Sequence, residues 1–241
     1  MTPSMKSEQG DPIPLWERSE PAVRPAPSPL SRDNIVRSAI ALADSEGLSA
    51  VSLRKVASSL DAGAMRLYRY LSTKDELLDL MADAVYGEIV SEGPIVGEWR
   101  DTLRTIANRI RSACREHPWF IELLGGRPHM GPNALAMLEA SFAALNDSPG
   151  FDTVDASMQA IRTVNAYVIG AVQAENSDLK NSMSKADWQK VWWPYLERLI
   201  ATGNFPMLAK IIRDASHPSP DIIFDTGLET VLDGLGSQIS R

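Results

Sequence analysis

Apolar positions along this chain recur at intervals of three and four residues, and nowhere do they alternate over the length of a strand. Ile35, Ala39, Ile40 and Ala43 form the first stripe, with Ser31 before it as a capping residue and Gly47 after it as a stop. A second, shorter helix is predicted from Ser52, which can cap it, and carries Val56, Ala57 and Leu60 on one face. It breaks at Asp61-Ala62-Gly63. A third helix, Ala64 to about Leu71, turns Leu67 and Leu71 inward and leaves Met65, Arg66, Arg69 and Tyr70 outward. Thr73-Lys74-Asp75-Glu76 has capping-box spacing, and Leu77, Leu78, Leu80, Met81, Ala84, Val85 and Ile89 continue from it as a fourth helix to about Val90. Two short helices joined by a tight turn and braced by a third have the outline of a helix-turn-helix DNA reader.

Beyond the fourth helix the helical period persists near 97–115, 118–124, 132–145, 153–176, 187–202, 205–213 and 221–239, with proline and glycine at the breaks. The predicted fold class is all-α: a three-helix helix-turn-helix DNA-binding domain over 30–75, then a larger helical ligand-binding and dimerisation domain over 76–241. Two late stripes, Val154-Met158-Ile161-Val164-Val168-Ile169-Val172 and Ile222-Ile223-Phe224-Leu228-Val231-Leu232-Leu235-Ile239, are broad enough to serve both core and subunit contact. They are expected to form a homodimer, as a reader of two-fold sites requires. Residues 1–29, with prolines at 3, 12, 14, 21, 25, 27 and 29, read as a disordered arm. Its Arg18 and Arg24 could reach a minor groove, an idea that Glu17 and Glu20 weaken.

Charge sharpens this picture. The 241-residue chain has a formal net charge of −7, yet Ser31 to Lys74 holds seven basic and four acidic residues, leaving −10 for the remainder. A basic module on an acidic body suits a protein that touches DNA with one end. One cysteine, Cys114, excludes an internal disulfide, and three scattered histidines lack metal-ligand spacing, so no metal or other cofactor is expected. His117, His129 and His217 each lie beside a proline at a helix boundary, which suggests capping or surface roles. No nucleophile–base pair or carboxylate pair points to an enzyme. No apolar run reaches the roughly 18 residues of a membrane helix and no hydrophobic leader is present, so a cytoplasmic protein without membrane attachment is expected.

Arg54 and Lys55, near the start of the second helix, sit where basic side chains meet phosphates or a guanine edge. Tyr68 can pack its ring between helices while its hydroxyl reaches a phosphate. In the body, large or polar-tipped side chains on otherwise apolar helices suit a small-molecule pocket: Trp119, Met130, Asn133, Met137, Tyr167, Gln173 and Trp193. The aromatic run Trp192-Trp193-Pro194-Tyr195 is an alternative partner contact.

Leu67-Tyr68 followed by Lys74-Asp75-Glu76-Leu77-Leu78 resembles the N-terminal signature of the tetracycline-repressor family of bacterial transcription regulators, and the likeness extends over about Leu30 to Leu80. The body resembles the tetracycline-binding branch at Trp99-Arg100-Asp101-Thr102-Leu103-Arg104, Gly126-Arg127-Pro128 and Phe224-Asp225-Thr226-Gly227-Leu228-Glu229. The resemblance implies that Ser52, Tyr68 and Lys74 contact phosphates, while Arg54, Ala64, Met65, Arg66, Arg69 and Tyr70 face the groove. It also implies a dimer built on two late helices per subunit, and release from DNA when a drug-sized ligand enters the body. One departure matters. Where that branch has a metal-chelating histidine five residues before the proline of the Arg-Pro pair, this chain has Leu123. Ile106 and Ile110 replace an amide and an aromatic. A more apolar organic effector than magnesium-tetracycline follows.

The expected function is that of a ligand-responsive repressor, released from a near-palindromic double-stranded operator by a small organic molecule. A helix-turn-helix protein controlled by a protein partner is the alternative, and an enzyme on a helical body is the remote one.

Overall fold

In the computed structural model, Ser31 stands in extended backbone and its Oγ accepts from the Asn34 N–H at 3.1 Å, which opens α1 (Arg32–Glu46). The structure describes residues 14–21, 30–126, 128–146, 148–180, 185–216 and 218–239. Gly47, at φ +83°, ends α1 by donating to the Ala43 carbonyl. Ser52 caps α2 (Leu53–Ser59) in the same way, accepting from Lys55 N–H.

The stop after α2 is a Schellman closure. Ala62 N–H reaches back to the Ala57 carbonyl and Asp61 N–H to the Ser58 carbonyl, with Asp61 in the left-handed region at φ +49°. Aspartate tolerates that region better than most non-glycine residues. α3 follows as a single turn, Ala64–Leu67, shorter than its pattern predicts; Tyr68 to Leu71 continue it through i→i+3 and i→i+4 bonds. Thr73 Oγ1 then caps α4 (Lys74–Ser91), and Glu76 returns its carboxylate to the Ser72 N–H at 2.7 Å.

α5 (Trp99–Glu116), α6 (Pro132–Leu145), α7 (Val154–Lys180), α8 (Lys185–Ala201), α9 (Pro206–Asp214) and α10 (Pro220–Ile239) lie within two residues of the predicted segments apart from the C-terminal end of α7. The segment near 118–124 differs, forming only a 3-10 turn at Phe120–Glu122. Trp119, Phe120 and Ile121 are all buried, and three consecutive buried side chains do not suit one face of an α-helix. Among the described residues there is no strand, and no helix is long and apolar enough to cross a membrane.

The chain divides into two compact units, Met1–Ser148 and Pro149–Arg241. In the first, α4 packs against α1, α5 and α6. Leu77, Met81, Val85 and Ile89 are buried on α4, as are Leu103, Ile106 and Ala107 on α5. Each such leucine or isoleucine contributes about 1.5–3 kcal/mol relative to exposure. In the second unit α7 packs on α10, burying Ile161, Val164, Val168 and Val172 on one helix and Phe224, Leu228, Leu232 and Leu235 on the other. The crossing is close at Gly227, where a Cβ would overlap the Tyr167 side chain.

Part of the segment expected to be a solvated arm is ordered against α1 and the start of α4. Leu15 is buried, the Arg18 guanidinium pairs with Glu76 at 2.5 Å, and Arg32 donates to the Arg18 carbonyl at 3.0 Å. Arg18 is thus engaged within the protein rather than free for a minor groove. Residues 1–13 and 22–29, with Arg24, lie outside the described residues, as do Arg127 and His217.

Candidate nucleic-acid interface

The inward side of the third helix is set by Leu67 and Leu71, both essentially inaccessible. Tyr70 joins them, a correction to its expected outward position: it is 9% exposed and its hydroxyl donates to the Leu30 carbonyl at 2.7 Å. Three residues after Leu67 lies on the same helical face, and the hydrogen bond satisfies the polar tip, so burial costs little. Tyr70→Phe should therefore cost about 0.5–1.5 kcal/mol in urea unfolding while leaving DNA affinity unchanged. A loss of DNA binding in the folded variant would return Tyr70 to the groove.

The outward side keeps Met65 (78% exposed), Tyr68 (51%), Arg66 and Arg69, with Ala64 half-buried at the start of α3. Arg54 and Lys55 are exposed on α2, and Lys74 is exposed as the first residue of α4. Among the described residues Arg54, Arg66, Arg69 and Lys74 have no ion-pair partner. Lys55 pairs with Glu46 at 2.8 Å, but both side chains are half exposed, and such a pair is worth only about 0–1 kcal/mol. Ser52 Oγ accepts its cap bond and retains its own O–H as a donor. The exposed and half-buried positions of the module therefore offer four uncommitted cations and two available hydroxyls, with no acid paired to those cations among the described residues.

The seven pocket candidates fall in both units, and Trp119, Asn133 and Tyr167 among them hydrogen-bond within the protein. Trp119 is buried, its indole N–H donating to Asp44 Oδ1 at 2.6 Å. Met137 is buried and Met130 exposed. Asn133 donates to Asp83 Oδ2 and to the Asp83 carbonyl. Tyr167 donates to the Phe224 carbonyl at 2.7 Å, Gln173 is exposed, and Trp193 lies exposed on α8 with Trp192 and Tyr195. An open depression of about 590 Å³ on α7 is lined by Asp155, Met158, Gln159, Arg162, Thr163 and Ala166, and includes none of the seven. Ile106 and Ile110 are buried on α5; the Leu123 carbonyl accepts from His129 Nε2 at 3.0 Å.

Among the described residues Glu88, Glu116 and His117 bring ligand-type atoms within 4.8 Å of one another. Both His117 nitrogens are already taken by carboxylates, so the cluster is an ion-pair network.

Comparison with known proteins decides the family. A profile for the "Tetracyclin repressor-like, C-terminal domain" matches residues 94–239. The HTH-type transcriptional repressor DrrR1 of Streptomyces coeruleorubidus is 34% identical over 229 residues, covering 92% of this chain and 83% of that protein. The chain belongs to the tetracycline-repressor family. An HTH-type transcriptional regulator of Saccharopolyspora erythraea is 41% identical over 173 residues, 70% of this chain and 71% of that one. Among solved structures, ActR of Streptomyces coelicolor in complex with actinorhodin aligns with a TM-score of 0.74 at 27% identity, over 88% of this chain and 100% of ActR.

For a tetracycline-repressor family regulator the body is as informative as the reader, and here the sequence pattern passed over two polar residues. Asp83 on α4 is 4% exposed, and its Oδ1 accepts from the Asn133 and Ala134 N–H groups at the start of α6. Burial raises its carboxyl above the ordinary range, against the lowering effect of those N–H donors. An acid set between Met81-Ala82 and Ala84-Val85 on α4 was the available signal. His117 stands at the helix boundary expected of it, as the C-cap of α5, but it is buried between Asp44 and Glu88 rather than on the surface. Nothing in its local sequence names two carboxylates that lie 73 and 29 residues away.

Proposed function

We propose that this regulator binds a near-palindromic operator as a homodimer and is released by an apolar organic effector. The observation that carries the DNA reading is the outward set of uncommitted cations around α3 within a family of helix-turn-helix regulators. Arg66, Arg69 and Met65 face base edges with Arg54, while Ser52, Tyr68, Lys55 and Lys74 hold phosphates. Lys74 sits at the N-terminus of an 18-residue helix, where backbone N–H groups and the helix dipole favour an anion.

Lys74→Ala is expected to reduce the slope of log affinity against log salt by about 0.9 per phosphate contact removed, or about two for a dimer. An unchanged slope would take Lys74 off the backbone. Dimerisation is assigned to α7 and α10, where Val154, Ile222 and Ile223 remain exposed. A monomer at micromolar concentration in sedimentation would oppose it.

Ile106, Ile110 and Leu123 support an effector less polar than a metal-chelated drug. That ActR is solved in complex with actinorhodin supports control by a small-molecule ligand. The effector acts through its preference for one of two arrangements of the dimer, since equal affinity for both would shift nothing.

Selection of bound duplexes from a random pool at two salt concentrations tests the reading without the effector. Recovery of a two-fold symmetric, salt-sensitive site is the expected result. No enrichment at either concentration would sink it.

A further inference from the structure

His117 closes α5 and is 6% exposed. Its Nδ1 lies 2.8 Å from Asp44 Oδ1, in the last turn of α1, and its Nε2 lies 3.0 Å from Glu88 Oε2 on α4. The same Asp44 oxygen accepts from the Trp119 indole at 2.6 Å, which fixes the carboxylate. Glu116, its neighbour on α5, belongs to the same cluster. The groups facing the ring are therefore acids from α1, α4 and α5.

A neutral imidazole has one N–H and one lone pair, so it can donate to only one of its two carboxylates. The imidazolium donates to both. We propose that protonated His117 is a positioning residue for DNA binding, a tie that holds α1 of the reader to α4 and to the end of α5, and that its deprotonation loosens α1. The proposal rests on the DNA-binding reading above.

Burial alone would depress the imidazole, but hydrogen bonds and charge from Asp44 and Glu88 outweigh it and hold its pKa above the ordinary value. A histidine raised on folding contributes stability that is complete below its unfolded pKa of about 6.5 and is lost as pH rises through the folded value. The tie is thus complete on the acid side and weakens as pH rises through the folded value. A reader held in place before it meets DNA loses less freedom on binding than one that must be ordered then. Affinity should follow the tie.

The test uses the full-length protein, an operator from the selection above, and constant ionic strength from pH 6 to 8.5. The wild type should lose roughly three- to tenfold in affinity over that range as the tie is lost. H117Q should show no such slope and match the wild type at pH 8.5. D44N, which keeps the imidazole and removes one acid, should move the midpoint to lower pH. Melting without DNA is the second readout: the wild type should exceed H117Q at pH 6 and converge on it at pH 8.5.

An identical affinity slope in H117Q, or a melting difference that does not change with pH, would overturn the proposal. Failure of the wild type to bind any duplex would overturn the DNA reading instead, and the melting comparison would still decide whether the tie exists.

Discussion

Asp83→Ala should lower the unfolding free energy by about 2–4 kcal/mol, the largest stability loss expected from a single polar side chain here. The first residue of α6 is Pro132, which has no N–H, so the first two donors of that helix belong to Asn133 and Ala134. Both go to one oxygen of Asp83, at 3.0 and 2.9 Å, from a residue on a different helix. Alanine leaves both without that acceptor in a largely buried site, while the Asn133 amide keeps the Asp83 main-chain carbonyl. Asp83→Asn keeps an acceptor in the same place and should cost less than half as much.

The carboxyl is also raised by burial, so its ionised form is less favourable in the folded protein than in the unfolded chain. Stability should accordingly gain at this site as pH falls through the folded value, and Asp83→Asn should lack that gain. Urea unfolding of the three proteins measures both effects. A loss below about 1 kcal/mol in Asp83→Ala would show that α6 does not depend on this cap.

The second large effect falls on DNA. Arg66→Ala should cost about 1–3 kcal/mol per half-site if the guanidinium reads a base, or about 2–6 kcal/mol for a dimer. That corresponds to roughly 30-fold to 10⁴-fold in affinity. The side chain is exposed and uncommitted, so its loss should leave the melting temperature nearly unchanged. Competition with base-substituted operators separates the roles. Relaxed preference at one position in each half-site marks a base contact, whereas equal loss on every sequence would place Arg66 on phosphate.

The pattern of the chain was most legible where the information is local. Ser31, Ser52 and Thr73 each cap the helix that follows them, because capping joins groups only three residues apart. Within the stripes of α7 and α10, Ile161, Val164, Val168, Val172, Phe224, Leu228, Leu232 and Leu235 likewise became buried, whereas Val154, Ile222 and Ile223 are exposed. Tyr70 was misplaced because an aromatic with a polar tip suits either side of a helix, and its partner, the Leu30 carbonyl, is 40 residues away. Residues 14–21 look unfoldable by composition, yet one buried leucine and one arginine on Glu76 place them, with a partner 58 residues distant. Asp83 and His117 belong to the same class: each is a polar residue whose role is defined by a distant element.

The brevity of α3 has a consequence for how this regulator finds its site. Even with its continuation to Leu71, eight residues rise only about 12 Å, fewer than four base-pair steps of 3.4 Å. Such a probe samples too few letters to single out one address among the roughly 10⁶–10⁹ competing positions of a genome. In the proposed dimer the missing information comes from reading twice at a set interval, so the distance between two heads becomes part of the text being read. An effector need not touch the reading surface to erase the message; changing the interval is enough.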